Sequence, residues 1–459
     1  MRSALQKLLH PLCGQPIIAW PVAAARAAGA AKIVVVDSPE RRLEAALNGA
    51  PDVVLAVQSE PLGTADAVRA AAPELDGAET VVVLNGDVPL ISAKTLKGLI
   101  EDHARTGSAG TIATVVLDDP SGYGRVVRAP DGTVERVVET KAPGDASELE
   151  LHIREVNSGL FAFDYDALTA ALNEVRSDNA QGEQYLPDVL PVLREHERTV
   201  TAYELADAAE LLQINDRRQL AEVTAVAQRQ ILDRHMLAGV TITSPAATVI
   251  DSSVQIGQDT VVGPFSGLHG ETTIGTASTI GPSCTLIDAQ VGDGASVIHS
   301  YIRGAIVGDR VTVGPFAYLR PGTVLRDSAK AGAFVEIKNS DVGAGSKVPH
   351  LSYIGDADIG EQTNLGASTI TANYDGYRKN RTTIGSRVKT SVDTTLVAPV
   401  TVGDDAFTAA GSVIGQDVPP GALAGSPGVS RSQQRNVEGY AERRRRREEA
   451  KSDDTPEGT

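Results

Sequence analysis

Between roughly Val254 and Val418 a branched or long aliphatic residue returns every six positions, usually followed by glycine. The pairs are Ile256-Gly257, Ile274-Gly275, Ile280-Gly281, Val291-Gly292, Val307-Gly308, Val313-Gly314, Val342-Gly343, Ile354-Gly355, Ile359-Gly360, Leu365-Gly366, Ile384-Gly385 and Val402-Gly403. A period of six is neither the 3.6 of a helix nor the 2 of a strand, so the aliphatic side chain must return to one interior line once per short strand and corner. A parallel β-helix does this: each unit forms one flat side, and small residues carry the backbone round the corner. The predicted core is a stack of aliphatic rungs, too narrow for many aromatic rings, which agrees with 4% aromatic residues and 44 glycines.

Before the repeat the pattern is that of an α/β domain. Lys32 to Val36 and Thr80 to Leu84 are apolar runs of strand length, as strands buried on both faces of a parallel sheet read. Ile17 to Ala28 and Ala65 to Ala72 have helical character. Right-handed crossovers would put Asn85-Gly86-Asp87 at the strand ends, where ligands of open α/β sheets bind. From Ala206 to Leu237 the spacing of Leu211, Leu212, Leu220, Val223, Val226, Ile231 and Leu237 predicts helix. Asn373-Tyr374-Asp375-Gly376 breaks the six-residue register between Thr371 and Thr383, and predicts a projecting loop. The expected domains are 1–205, an α/β domain; 206–238, a helical linker; 239–430, the β-helix; and 431–459, a polar tail expected to be disordered.

A chain of 459 residues is too long for one core. Its net charge of −17 argues against a nucleic-acid binder, and the basic run Arg443 to Arg447 is flanked by Glu442, Glu448 and Glu449. Only Cys13 and Cys284 occur, so neither a disulfide framework nor a thiolate zinc site is expected. No apolar stretch is long enough to span a bilayer and no signal peptide is legible, so the expected location is the cytoplasm, without membrane insertion.

Asp87 follows a predicted strand, where a carboxylate can hold a hard cation beside nucleotide phosphates or merely cap the next helix. Around it stand Lys7-Leu8-Leu9-His10-Pro11-Leu12, Gln58, Leu62-Gly63-Thr64, Gly122-Tyr123-Gly124-Arg125, Glu139-Thr140-Lys141, Glu155-Val156-Asn157-Ser158-Gly159 and Asn215. Within the repeat stand Tyr318-Leu319-Arg320-Pro321-Gly322, Val335-Glu336-Ile337-Lys338-Asn339, Pro349-His350-Leu351-Ser352-Tyr353-Ile354-Gly355-Asp356 and Asn364-Leu365-Gly366-Ala367. In these motifs the chain closely resembles the bifunctional bacterial N-acetylglucosamine-1-phosphate uridylyltransferases/glucosamine-1-phosphate N-acetyltransferases.

The resemblance implies a Rossmann-like nucleotidylyltransferase domain followed by a left-handed parallel β-helix of hexapeptide repeats. It implies acetyl transfer from acetyl-CoA to glucosamine 1-phosphate, then uridylyl transfer from UTP to give UDP-N-acetylglucosamine and pyrophosphate, in a homotrimer. Asp87 and Asn215 would hold Mg²⁺ and Lys7 a phosphate. Gln58, Gly63 and Thr64 would meet the uridine, and Gly124, Glu139 and Asn157 the amino sugar. A primary ammonium must lose its proton before it attacks a thioester, so a histidine is the expected general base, and His350 is the candidate. Arg320 and Lys338 would bind the sugar phosphate, with Tyr353 and Asn364 at the sugar and Asn373 and Tyr374 completing the site from the inserted loop. Ala367, Ala409 and Arg431 would line the coenzyme A groove.

Some positions depart from the family pattern. Val392 stands where a serine usually contacts the acyl donor, a lost hydroxyl contact of about 1 kcal/mol. Gln6 replaces a usual proline, and Ala65-Asp66 a usual Gly-His. Met1 aligns with the last residue of the family segment Leu-Ala-Ala-Gly-x-Gly-Thr-Arg-Met. The first strand and the phosphate loop are therefore expected to be missing, by a misplaced start, and uridylyl transfer to be poor in the chain as written. The alternatives are a monofunctional glucosamine-1-phosphate acetyltransferase or a non-catalytic regulatory subunit. His269, His299 and His350 lack the close spacing of a zinc triad.

Overall fold

The computed structural model describes residues 1–47, 50–140, 145–176, 182–425, 439–443 and 446. They belong to two compact units, Met1–Thr273 and Ile274–Thr459. The first contains β1 (Ile33–Asp37), β2 (Val53–Val57), β3 (Thr80–Val83), β4 (Gly110–Val116), β5 (Arg125–Arg128), β6 (Val134–Val138), β7 (Glu155–Asp164) and β8 (Val200–Glu204). Its helices include α1 (Ala19–Ala28), α2 (Thr64–Ala71), α3 (Ala93–Thr106), α4 (Val189–Glu195) and α5 (Arg217–Leu237). Side-chain and backbone chemistry sets their ends: the Ser92 hydroxyl accepts from Thr95 N at 3.1 Å to start α3, and Gly107, at φ 61°, lets the chain leave it.

The main sheet runs β8-β4-β7-β5-β6, with β3 also on β7. Alternation along β4 and β7 divides the core. Ile112, Phe161 and Phe163 pack with Leu190 and Leu193 of α4, while Ala113, Val115, Leu160 and Ala162 pack with Leu96 and Leu99 of α3. The sheet is mixed where the apolar runs read as strands of a parallel one: β8 lies parallel to β4, but β7 is antiparallel to both β3 and β4. Nor are the two apolar runs buried on both faces, since alternate residues of β1, Val34 and Val36, are only half-buried. The physical reason is a cavity of about 1070 Å³ lined by Ile33 to Val36 of β1 and by Thr80 to Val83 of β3. Among the described residues β1 pairs with β2 and β3 with β7, so each has one unpaired edge, and both line this cavity.

The predicted linker helix begins later than its apolar spacing implies. Ala208–Leu211 form a single 3-10 turn, and α5 starts at Arg217 because Asp216 and Gln219 cap each other reciprocally. Leu237, expected on the apolar face, is 90% exposed, since the helix ends there and the chain turns at Gly239. Gln228 of α5 ties the first coil of the repeat to the helix: Nε2 donates to Ile250 O at 2.8 Å and Oε1 accepts from Ile250 N at 3.0 Å. Those first coils consequently cluster with the first unit.

His235, near the end of α5, is 6% exposed, and among the described residues its Nε2 has no partner. Burial, with Arg234 beside it, lowers its pKa from 6.5 to about 4. The unfolded chain therefore binds a proton that the folded one refuses. Stability present above pH 6.5 is lost as pH falls toward 4, by up to about 3 kcal/mol. Urea midpoints at pH 7 and pH 4.5 check this: His235→Leu is expected to shrink the acid loss, and an equal loss in both proteins would contradict it.

In the second unit the repeat folds as the period predicts. Parallel strands stack on three faces, for example Leu319 on Ile337 and Ile337 on Ile354. Eleven of the twelve aliphatic residues before glycine are buried, and only Ile256, in the first unit, is half-buried. One corner carries a column of residues with left-handed backbone, His299, Phe316, Phe334 and Leu351, at φ 44 to 60°. Bulky side chains rarely accept that conformation. Phe316, Phe334 and Leu351 are nevertheless 57, 60 and 58% exposed, with the two phenyl rings stacked at 5.3 Å.

Candidate functional site

Two sites are built, one in each unit. In the first, the sheet ends bring three predicted residues together: Lys7 Nζ lies 2.6 Å from Asp87 Oδ2 and 3.0 Å from Asn215 Oδ1. Two hard oxygens converging on one cationic group form a donor set that fits a hard divalent cation, and the ammonium beside them suits a phosphate. Gly63, Thr64, Gly124, Glu139 and Asn157 line the cavity next to Asn85 and Gly86. Gly63, at φ 121°, precedes α2, and a Cβ there would fall 2.3 Å from Gln184 O, so no other residue keeps this close approach. The Thr64 hydroxyl accepts from Leu186 N at 2.9 Å. Gly124 O accepts from Asn157 N at 2.9 Å, joining the two loops expected at the sugar.

Gln58 does not line this cavity. Its amide donates to Gly63 O at 3.0 Å and to Asp66 Oδ2 at 2.9 Å, so the Asp66 departure from the family pattern occupies it. Asp188 is a carboxylate the motif reading missed. Burial, and then the nearby charge of Glu139, push its carboxyl above the usual range.

In the second unit the Arg320 N–H bonds Ile337 O at 2.9 Å, which sets Arg320 beside Lys338 on adjoining coils. Lys338 in turn pairs with Gly355. Arg320 is held by Glu336 Oε1 at 2.9 Å and lies 5.9 Å from the Tyr318 ring centroid. Glu336 is also the strand partner of Tyr353. The absence of a side chain at Gly355 matters, because a Cβ there would fall 2.5 Å from Tyr353 Oη and 2.8 Å from Asn373 Nδ2. His350 ends the strand Lys347–His350 one corner away from Tyr353, exposed.

Asn373 and Tyr374 begin the projecting loop, as the register break predicts. It is a tight hairpin: Asn380 N donates to Asn373 O at 2.7 Å, and Asp375 accepts from the backbones of Tyr377 and Arg378. Tyr374 is 62% exposed, whereas Asn373 is buried on Asp356. Burial alone would raise the Asp356 carboxyl, but the amides of Asn339 and Asn373 and the Lys338 charge outweigh it and hold it below the usual range. Asp356 and Glu336 belong to quoted motifs, yet their contacts were not foreseen. The usable signal was the coil length: Asn339, Asp356 and Asn373 are each 17 residues apart.

Asn364 is exposed on the face of the prism that continues Lys347. Ala367 O accepts from Asp393 N at 2.8 Å, and Val392, 47% exposed, bonds through its carbonyl to Gly411 N at 2.9 Å, so Ala367, Val392 and the turn after Ala409 follow one another along the prism. Arg431 and Lys141 lie outside the described residues, as does most of the C-terminal tail. Among the described residues no helix is long and apolar enough to cross a membrane.

Residues 2–209 match the family model described as nucleotidyl transferase. The protein named bifunctional protein GlmU of Corynebacterium efficiens is 48% identical over 452 residues, 97% of this chain and 92% of that protein. Its namesake from Mycolicibacterium vanbaalenii is 48% identical over 453 residues, 97% and 91% of the two chains. That of Streptomyces avermitilis is 48% identical over 450 residues, 97% and 92%. With a match of this strength running through both units, the chain belongs to the family of bifunctional GlmU proteins.

Proposed function

We propose that the chain acetylates the 2-amino group of glucosamine 1-phosphate from acetyl-CoA and couples the product to uridylate from UTP, giving UDP-N-acetylglucosamine, a cell-wall precursor, and pyrophosphate. The observation that carries this reading is the second site, where Arg320 and Lys338 occupy adjoining coils of one face of the prism, one corner from His350. The acceptor nitrogen forms a bond to the thioester carbon, the carbon–sulfur bond breaks, and coenzyme A leaves as thiolate. His350 takes one proton from the acceptor ammonium to free its lone pair; the second N–H proton is lost from the tetrahedral adduct and passes to the thiolate, and the proton on His350 leaves to solvent. Arg320 and Lys338 orient the acceptor through its phosphate, Tyr353 and Asn364 border the sugar, and Asn373 and Tyr374 border the reacting groups. The groove along Ala367, Val392 and Ala409 receives acetyl-CoA. Arg431 is assigned to the same groove by the family resemblance.

For uridylyl transfer the acceptor phosphate attacks the α-phosphorus of UTP and pyrophosphate leaves. Mg²⁺ held by Asp87 and Asn215 would offset charge on the phosphates, with Lys7 alongside. The Gly63–Thr64 turn borders the base, with Gln58 behind it, and Gly124, Glu139 and Asn157 border the sugar. A homotrimer belongs to the same reading: the exposed column Phe316, Phe334 and Leu351 lies beside His350 and is the kind of apolar surface that a neighbouring copy covers. So does a cytoplasmic location, consistent with two free cysteines.

The half-reactions are assayed separately, as thiol release and as pyrophosphate release. Both are expected from the purified chain, since each unit carries the residues assigned to its half-reaction. Absence of both would leave the regulatory-subunit reading.

A further inference from the structure

We propose that Asp356 is a positioning residue of the acetyl-transfer site, setting both Lys338 and Asn373; the inference rests on the acetyl-transfer reading above. Asp356 is 7% exposed, and a buried carboxylate is costly unless fully compensated. Of the three groups that compensate it, two, Asn373 and Lys338, are ones that the reading places at the substrate, and the third, Asn339, adjoins Lys338. Oδ1 accepts from Asn339 Nδ2 at 2.6 Å, Oδ2 accepts from Asn373 Nδ2, and Lys338 Nζ lies 3.8 Å from Oδ2. The Asp356 backbone N–H also bonds Lys338 O at 3.0 Å.

The separation from Lys338 matters. At 3.8 Å the ammonium feels the negative charge but lies beyond the 2.7–2.9 Å of a charge-assisted hydrogen bond. Its three N–H donors are therefore not consumed by Asp356, while its position and charge are fixed. A dianionic phosphate arriving opposite can take those donors without first breaking a tight ion pair. With Asn373 the grip is direct: the carboxylate holds the first residue of the projecting hairpin, and so the root of Tyr374, to the coil that carries Lys338. Asn339, Asp356 and Asn373 form one column at the coil spacing, and Asn339 and Asp356 both have left-handed backbone, which their side chains tolerate.

The test is a double-mutant cycle in the full-length protein. Asp356→Asn keeps the shape, removes the charge, and turns a donor toward one of the two amides. It is expected to raise KM for glucosamine 1-phosphate about tenfold and to lower kcat. In a Lys338→Ala background the KM effect should vanish; in an Asn373→Ala background the kcat effect should vanish. Undiminished effects in both backgrounds would overturn the proposal and leave Asp356 a structural residue. If Asp356→Asn does not fold, Asp356→Glu, which keeps the charge but displaces it, should raise KM about threefold, and an unchanged KM would overturn the proposal equally. An unmodified protein without acetyl transfer would sink the underlying reading instead.

Discussion

Replacing His350 by alanine is expected to cut coenzyme A thiol release with glucosamine 1-phosphate by about a hundredfold to ten-thousandfold at neutral pH, the range spanned by general-base catalysis. The acceptor is an ammonium ion in solution and has no lone pair until a proton leaves. His350 is exposed at the end of its strand, one corner from Tyr353, and its side chain supports none of the prism's buried rungs. The loss should therefore appear in kcat while the melting temperature stays within about 2 °C of the parent protein. Equal rates for the variant and its parent would assign the proton to another group.

The second large effect is on stability. Ile337→Ala should destabilise the second unit by about 2–5 kcal/mol, read from the urea midpoint. Ile337 is fully buried between Leu319 and Ile354 on adjoining coils. Removing its outer carbons leaves a cavity that cannot collapse, because parallel ladders on three faces fix the spacing of the rungs. The neighbouring residues Arg320 and Lys338 are positioned by these same rungs, so KM for the sugar phosphate should rise as well. A shift below about 0.5 kcal/mol would mean that the coils are not held at a fixed separation.

The prism was legible because its core is one-dimensional: each aliphatic residue before glycine meets its equivalents one coil away, so a local period carries the tertiary packing. The projecting hairpin was legible for the same reason, as a break in that period. Pairing in the first unit was not, because it is non-local; β3 lies antiparallel to β7, with Val83 opposite Phe161. Hydrophobic spacing also placed the linker helix too early, since the reciprocal cap of Asp216 and Gln219 overrides a few apolar residues upstream. Among site residues, Lys7, Asp87 and Asn215 do converge, as the family motifs imply. Gln58 does not face the cavity, because Asp66 takes its amide. Asp356 stood inside a quoted motif, yet its contacts required the coil length as well as the six-residue unit. Nothing in local propensity anticipates Phe316 and Phe334 in a left-handed backbone, since that conformation is imposed by the corner they occupy.

The central claim is the acetyl transfer, and the most direct measurement is the release of coenzyme A thiol from acetyl-CoA by the purified chain, with the sugar product identified by mass. Release that depends on glucosamine 1-phosphate and yields N-acetylglucosamine 1-phosphate is the predicted result. Release unaffected by the sugar phosphate, or no acetylated sugar at all, would contradict it.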